Sequence, residues 1–371
     1  MPTRNRKHAN SLTAAAFDSM VTAHEGFLLG KTGGRMIPRN IVARGLRCDL
    51  RKLSDVDFTG SDLSGTTFVG ADLRRASFYC ALAMNCDFRG AQLQRSDLRG
   101  ATFSGSKLAG AVLDEADMRA AILCAADPVL GLRLLGGTDM RDSRLDQADL
   151  TEAQAFGVDF SGCSLRGAKL RNANLKNAIF TGANMAGADL SGARLEGITL
   201  SGAILTGIDV ARLGLRPSVL AHCVLDPTPQ AMALRDWLAV QIDRGEAWAR
   251  SNGAHGAPAS LDGQDLRPLG ELLKGRQMPG LSAKNAMAVG IVLAGSQLAG
   301  ANLEGADLRG ADLRGCDLRG VSLRGAKLAH ATFQDAELGP LPLAGGRVRP
   351  VNLEGADLIG TGLSWTMSVA A

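Results

Sequence analysis

Aromatic side chains are scarce in this chain. Phe, Trp and Tyr together make up 4% of the 371 residues, whereas Gly occurs 46 times. Aromatic residues supply much of the bulk of a globular core, so their scarcity argues against such a core. The composition instead suits a thin interior filled by aliphatic and small side chains.

Long apolar runs and cysteine pairs are missing too. No apolar stretch approaches the roughly 20 residues of a membrane-spanning helix. Asp18 and His24 interrupt the apolar region that a secretion signal would need after its basic start. The seven Cys include no Cys-x-x-Cys motif, which argues against a zinc site. We expect no membrane span and a reducing, cytoplasmic location.

The motifs of catalysis are also absent from the sequence. The five His are scattered, with no His-Glu-x-x-His motif and no arrangement that suggests a Ser–His–Asp triad. Gly26–Thr32 resembles a phosphate-binding loop but has three residues between its glycines instead of four. It also follows a predicted helix, whereas that loop must follow a strand. We therefore predict no enzyme activity, no cofactor, and no catalytic, cofactor-binding or metal-binding residues.

A strong charge of one sign is missing as well. The net charge is +4, and the excess lies in residues 1–50, which hold eight Lys/Arg against three Asp/Glu. The segments 51–123 and 138–225 are neutral, because each holds nine Lys/Arg and nine Asp/Glu. A short basic terminus is typical of a solvated tail, and the neutral remainder argues against a nucleic-acid partner, which needs clustered Lys and Arg.

What the sequence does contain is a period of five residues, clearest over residues 301–329. A large apolar residue recurs at every fifth position, with a small residue two positions before it. The pairs are Ala301/Leu303, Ala306/Leu308, Ala311/Leu313, Cys316/Leu318, Val321/Leu323 and Ala326/Leu328. Neither an α-helix nor a flat strand has this period. It indicates a solenoid whose chain turns a corner after every unit.

These units of small residue, Asp or Asn, Leu or Phe, polar residue and Gly resemble the pentapeptide-repeat family. The resemblance implies an all-β solenoid, a right-handed quadrilateral β-helix with four pentads per coil. The large residue of each pentad, here called its centre, and the small residue two positions before it would both point inward. Four of the Cys occupy that small position, so we expect them to be buried and inert: Cys86, Cys163, Cys223 and Cys316.

The repeats divide the chain into four parts. Residues 1–48 form a basic tail and an N-terminal capping helix, and residues 49–225 form a β-helix with a register shift near 124–130. Residues 226–290 form a helical insertion or linker, and residues 291–371 form a second stretch of β-helix with a C-terminal cap. The shift is predicted because the apparent centres Leu123 and Leu130 are seven positions apart instead of five. The spacing of five then resumes with Leu135 and Met140.

Two helices are predicted outside the repeats. Ser11 can cap a helix over about residues 12–29 that covers the open first coil. Thr228-Pro229 starts another, whose apolar residues form one stripe: Leu234, Trp237, Leu238, Ile242 and Trp248. We single out Trp237 and Trp248 as candidate partner-binding residues, the plainer alternative being that they seal the preceding coil. Trp365 and Met367 are candidates for a C-terminal cap or a homodimer interface.

The resemblance favours a non-enzymatic scaffold, a module that presents β-helix faces to a protein partner of unknown identity. One alternative is a DNA-mimicking inhibitor or protector of a type II topoisomerase, as in the quinolone-resistance branch of the family. Mimicry of DNA needs a strongly negative surface, and the neutral repeats argue against it. Another alternative is a nucleic-acid-binding protein. Consecutive pentads lie on different sides of a coil, however, so no basic stripe forms from Arg309, Arg314, Arg319 and Arg324.

Overall fold

The repeats stack through parallel bridges between residues twenty positions apart. The computed structural model describes residues 11–31, 33–124 and 137–363. In it Asp62 pairs with Leu82 and Leu82 with Thr102, and the same spacing joins Asp307 to Lys327. Twenty residues are four pentads, and successive pentads belong to different bridge series. Each coil therefore has four sides, with the chain turning at every pentad.

The pentad around Phe68 shows how the sequence makes a corner. Phe68 is fully buried at the centre, and its N–H donates to Asp87 O of the next coil at 2.6 Å. Two residues later Gly70 has a φ of 63°, a left-handed value that costs Gly least. The turn is closed by Ala71 N–H, which donates back to Phe68 O at 3.0 Å. The recurring Gly of the sequence is thus the corner residue.

The chain contacts divide into two compact units, residues 1–225 and 226–371. The first begins with helix α1, Ala14–Leu28, where the sequence predicts a helix over 12–29. Thr13 rather than Ser11 caps it, accepting a hydrogen bond from Ala16 N at 3.2 Å. Phe17, Val21 and His24 are its buried residues, and the Phe17 ring stacks at 6.2 Å on that of Phe58, a coil centre.

The interruption after Leu123 is longer than the sequence pattern suggests. Ile122 pairs with Gln154, 32 positions later instead of 20. Thr138 N–H donates to Leu123 O at 3.2 Å, which is the bond that closes an ordinary corner. The next pentad is therefore the one centred on Met140, and the predicted two-residue shift does not describe this pairing. The apolar residues read as centres in between, Leu130 and Leu135, lie outside the described residues.

The last coil of the first unit is irregular, and bulky residues stand in it at positions that are usually small: Ile208 and Leu213. A 3₁₀ helix, Val210–Leu213, and the short helix α2, Pro217–Leu220, replace strand segments here. The bridge between Ile204 and Val224 still has the twenty-residue spacing. The chain thus leaves the coil after Ile204 and returns to it at Val224.

The second unit also starts with helices, α3 (Pro229–Ala233) and α4 (Arg235–Arg250). Thr228 caps α3, as the sequence predicts, by accepting from Ala231 N at 3.2 Å. Bridges then begin at Ser260, which pairs with Ser282. Coils are thus present well before residue 291, where the sequence pattern places the return of the repeats.

Two features hide these early coils from a search for Leu every five residues. Ala283 and Ala288 stand at buried centres, while the larger Leu281 and Ile291 occupy the position that is usually small. A 3₁₀ helix, Arg267–Leu273, adds two residues between successive bridges, since Ser260 and Ser282 are 22 positions apart.

A small hairpin interrupts the second unit near its end. Strands β1 (Leu341–Pro342) and β2 (Val348–Arg349) are antiparallel, and a 3₁₀ turn, Ala344–Gly346, joins them. Across the hairpin the coil partners Ser322 and Asn352 are 30 positions apart. The pentads continue beyond it, with Lys327 paired to Asp357.

Candidate partner-binding surface

The polar surface of the coils neutralises its own charge, pentad by pentad. In the recurring Asp–Leu–Arg sequence the Arg side chain folds back onto the Asp two residues before it. Asp312 accepts from Arg314 Nε at 2.8 Å, from Nη2 at 2.7 Å and from the Arg314 backbone N–H at 3.1 Å. Asp72 and Arg74 have the same arrangement.

This pairing also controls the ionisation of the carboxylates. The hydrogen bonds from Arg314 hold the pKa of Asp312 below its usual range, and those from Arg74 do the same for Asp72. Asp72 and Asp312 are therefore ionised and serve as structural partners at the corners. A surface built this way carries alternating charges rather than a field of one sign.

The inward Cys side chains are structural as well. Cys163 Sγ lies 2.9 Å from Met140 O, and Cys316 Sγ lies 2.9 Å from Leu293 O, so each thiol donates to the previous coil. Burial raises the pKa of Cys86 to about 12 and that of Cys316 to about 11. Thiols with so high a pKa are poor nucleophiles. Cys223 differs in being only partly buried.

The structure also bears on metal binding, on membrane spans and on the surroundings of His24. Residues 11–31, 33–124 and 137–363 hold no group of three His, Cys, Asp or Glu that could bind a metal. Among the same residues no helix is long and apolar enough to cross a membrane. His24 is buried between two backbone groups, with Nδ1 accepting from Met36 N at 3.1 Å and Nε2 donating to Ser54 O at 2.9 Å.

Helix α4 has a buried face that fixes it to the second unit. Leu238 and Ile242 are fully buried and belong to the same core as the coil centres Leu261 and Leu266. The helix approaches the coil so closely that a Cβ on Gly245 would lie 2.9 Å from that of Ala259. Gly, which has no Cβ, is therefore the residue that allows helix and coil to approach this closely.

A partly buried ion pair adds to this attachment. Glu246 binds Arg276 at 2.5 Å and accepts from the Gln277 backbone N–H at 3.4 Å. Burial by itself raises the pKa of Glu246, but the bonds from Arg276 and Gln277 outweigh it and hold the pKa below its usual value. Glu246 thus joins helix α4 to both the side chain and the backbone of a coil.

Helix α1 uses the same device in the first unit. Glu25 Oε1 accepts from Arg51 Nε at 2.9 Å and from the Lys52 backbone N–H at 3.0 Å. Arg51 and Arg276 occupy equivalent positions, since each lies two residues before a buried centre, Leu53 or Met278. Sequence reasoning missed this parallel because an isolated Glu on a helix carries no signal of a partner more than twenty residues away.

The other face of the α3–α4 segment is exposed and apolar. We call it the α3–α4 patch; its members and exposed fractions are Met232 (48%), Leu234 (43%), Trp237 (47%) and Val240 (53%). The single stripe predicted from the sequence is thus divided between two faces, because Leu238 and Ile242 point to the core while Leu234 and Trp237 do not.

The two candidate Trp residues have different surroundings. Trp237 lies in the α3–α4 patch, whereas Trp248 is half-buried against the turn that ends α4. A Cβ on Gly253 in that turn would lie 3.4 Å from Trp248 Nε1. The sequence could not separate these roles, because both side chains are Trp on one helix. The other two candidates, Trp365 and Met367, lie outside the described residues and remain a prediction.

Comparison with known proteins supports the repeat assignment. A family model of pentapeptide repeats matches eight copies in residues 52–90, 86–123, 134–172, 168–207, 284–315 and 308–338. These ranges cover more than half of the chain, and helices α1 to α4 and the hairpin lie outside them. The comparison with curated proteins gives no match.

Solved structures of distant likeness include two pentapeptide-repeat proteins of cyanobacteria. HetL from Nostoc, involved in heterocyst differentiation regulation, is 18% identical, with 95% of this chain and 97% of that chain covered and a TM-score of 0.25. Rfr23 from Cyanothece is 19% identical, with 44% and 90% covered and a TM-score of 0.22. QnrB1, a plasmid-mediated fluoroquinolone resistance protein, is 17% identical, with 62% and 97% covered and a TM-score of 0.31. Likenesses this distant carry no information about partners.

Proposed function

Since this chain belongs to the pentapeptide-repeat family, whose members fold as right-handed quadrilateral β-helices, we propose that it is a non-enzymatic interaction protein. Its coils act as rigid supports, and the α3–α4 patch is the contact for a protein partner. The observation that carries the proposal is the exposure of four large apolar side chains on helices fixed to a coil.

The repeat faces by themselves specify a partner poorly. Their Asp–Arg pairs recur from coil to coil and satisfy one another, as in Asp312–Arg314 and Asp317–Arg319. The α3–α4 patch has a unique sequence and an exposed Trp, a residue type enriched among binding hot spots. Clusters of exposed apolar side chains on a soluble protein commonly mark interaction sites.

The support beneath the patch is rigid. Leu238 and Ile242 anchor α4 in the core, and Glu246 binds Arg276 and Gln277 from the adjacent turn of the helix. The patch is therefore presented without a conformational change of its backbone, which lowers the entropic cost of binding.

The same anchoring supports a second proposal, that α1 and α4 each cover the first coil of their unit.

The Asp–Arg pairs also bear on the alternative functions. A DNA mimic needs unpaired carboxylates in long rows, whereas many of the outward Asp residues carry an Arg two residues later. A nucleic-acid-binding surface needs unpaired Lys and Arg, and the same pairs remove many candidates. We therefore favour a protein partner over both.

The proposal is tested by quantitative capture of partners from lysate of the source cells. Trp237→Ala should lower the melting temperature only slightly, because the side chain is 47% exposed, and should abolish capture of the partner. The matched control is Ile359→Ala, which removes an exposed side chain (39%) from a coil surface and should leave capture unchanged.

Trp248→Ala provides the second comparison. It should lower the melting temperature, because Trp248 packs on the turn at Gly253, and should weaken capture only as far as it unfolds the helix end. The proposal fails if Trp237→Ala retains every partner that the wild-type protein captures.

A further inference from the structure

The last regular coil of the first unit has a strand edge whose backbone groups lack partners among the described residues. We call residues 188–200 the edge segment. In the preceding coil each centre donates its N–H to the next coil: Leu170 to Asp189 O at 2.8 Å and Leu175 to Arg194 O at 3.0 Å. Within the described part of the chain, no acceptor is found for the N–H of Leu190, Leu195 or Leu200.

The acceptors of the edge segment are open in the same way. In the preceding coil Ala168 O and Ala173 O accept from Asp189 N and Arg194 N, both at 2.9 Å. The equivalent carbonyls one coil later, those of Ala188 and Ala193, have no backbone donor among the described residues. The segment thus alternates free donors and acceptors in the pattern that a parallel strand would satisfy.

The edge is open because the chain leaves the coil for a shorter path. Residues 209–221 would form the next strands, but they form the 3₁₀ helix Val210–Leu213 and helix α2 instead. Their apolar side chains Leu213, Leu215 and Val219 pack against the core, so the interior is covered while the edge is not. Pairing resumes at Leu205, whose N–H donates to Val224 O at 2.8 Å.

Two pockets lie between the edge segment and the helices that replace its neighbour. One has a volume of about 650 Å³, and its apolar walls include Leu195, Ile198, Leu213 and Val219. The other has a volume of about 470 Å³ and is lined by Leu190 and Ile208 among others. Both are open to solvent and adjoin the unpaired backbone groups.

We propose that the edge segment binds a peptide of a partner protein that pairs with it in parallel and turns with the coil between Asp189 and Arg194. Apolar side chains two residues apart fill the pockets, as the inward pair of a pentad does. This site goes beyond the proposed function, since it belongs to the first unit and recognises backbone as well as side chains.

The charges of the edge segment define the peptide further. Side chains of bridged residues pair across coils, as Lys169 does with Asp149 at 3.8 Å and Lys327 with Asp307 at 4.0 Å. The bridging residues of the edge segment include Asp189, which Arg171 contacts from the preceding coil at 3.6 Å, and Arg194, for which no ion pair is found among the described residues. A complementary peptide therefore carries a cation beside Asp189 and a carboxylate beside Arg194, five residues further along.

The experiment uses a fluorescein-labelled decapeptide of sequence AKLSGADLSG and the full-length protein, with binding followed by fluorescence anisotropy. We expect saturable binding. The charge-exchanged peptide ADLSGAKLSG should bind about tenfold more weakly, because both cross-strand charge pairs become repulsive. This comparison needs no change in the protein and so does not depend on the folding of a variant.

A charge reversal in the protein locates the site. Arg194→Glu should weaken binding of AKLSGADLSG about fivefold and strengthen binding of AKLSGAKLSG; Arg194 is exposed, so the variant should melt like the wild-type protein. Absence of saturable binding, or equal affinities for the two charge orders, overturns the proposal. So does a wild-type dimer in light scattering that Arg194→Glu dissociates and that excludes the peptide, because the edge is then covered by a second copy.

Discussion

At the scale of single residues, the fold depends on the position of each side chain within its pentad. Centres and the small residues before them are buried, the Asp or Asn between them bridges coils, and the fifth residue turns the corner. Inward and outward positions could be read from the sequence, since a large residue every five positions fits neither a helix nor a flat strand. The Asp–Arg pairs could not, because their geometry depends on how the corner folds.

The pair Leu313 and Arg314 tests this inward and outward assignment. Leu313 is fully buried, so Leu313→Asp places a carboxylate between coils and should lower the free energy of unfolding by about 3 kcal/mol or more. The side chain of Arg314 is 58% exposed, so Arg314→Ala should cost less than about 1 kcal/mol. Denaturant unfolding of both variants makes the comparison, and equal losses would show that the assignment is incorrect.

Leu50 tests the corner position. It has a φ of 59° where most pentads have Gly, and its side chain is 79% exposed. Leu50→Gly should raise the free energy of unfolding by about 1 kcal/mol, because Gly adopts this backbone conformation without strain. Leu50→Ala, which keeps a Cβ at the same φ, is the matched control and should give no comparable gain. A thermal melt in which Leu50→Gly is less stable than the wild type would contradict this account.

At the scale of elements, each unit begins with a helix held by a glutamate. Glu25 binds Arg51 and Lys52 N–H in the first unit, and Glu246 binds Arg276 and Gln277 N–H in the second. The helices themselves could be predicted, since apolar spacing marks both, although Thr13 rather than Ser11 caps α1 and the predicted cap Thr228 belongs to α3, just before α4. The early coils at 260–290 could not, because Ala283 and Ala288 stand where the pattern expects large residues.

Glu246 gives this attachment a dependence on pH. Its pKa is held below the ordinary glutamate value of 4.5 in the folded protein, so the stabilisation is present well above pH 4.5 and is lost as the pH falls through the lowered folded pKa. Glu246→Gln should cost about 2 kcal/mol at neutral pH. The difference between variant and wild type should shrink below about pH 4.

The measurement is chemical denaturation of both proteins over about pH 3–7, the range in which carboxylates titrate. Asp236→Asn is the matched control, because the Asp236 side chain is 97% exposed and its removal should leave the pH profile unchanged. A constant difference between Glu246→Gln and wild type across this range would show that the ionised Glu246 does not hold α4.

At the scale of the whole molecule, two repeat units each carry a feature that the repeats do not supply. The first has the unpaired edge segment one coil before its end, and the second begins with the exposed α3–α4 patch. Regular pentads pair their own backbone and charged groups. We therefore expect a partner to be recognised at the features that depart from the repeat. The sequence indicated the second departure through its Trp residues, and the first only through bulky residues, such as Ile208 and Leu213, at positions that are usually small. The unpaired edge itself could not be predicted, because residues 209–221 have the length of the strands they replace.

The central claim is that Trp237 contacts a protein partner, and site-specific photo-crosslinking in the source cells tests it most directly. We would place benzoylphenylalanine at position 237 in one protein and at position 359 in another, since Trp237 and Ile359 are both exposed. The account predicts a discrete crosslinked protein from position 237 and none from position 359. No adduct at position 237, or the same adducts at both positions, would contradict it.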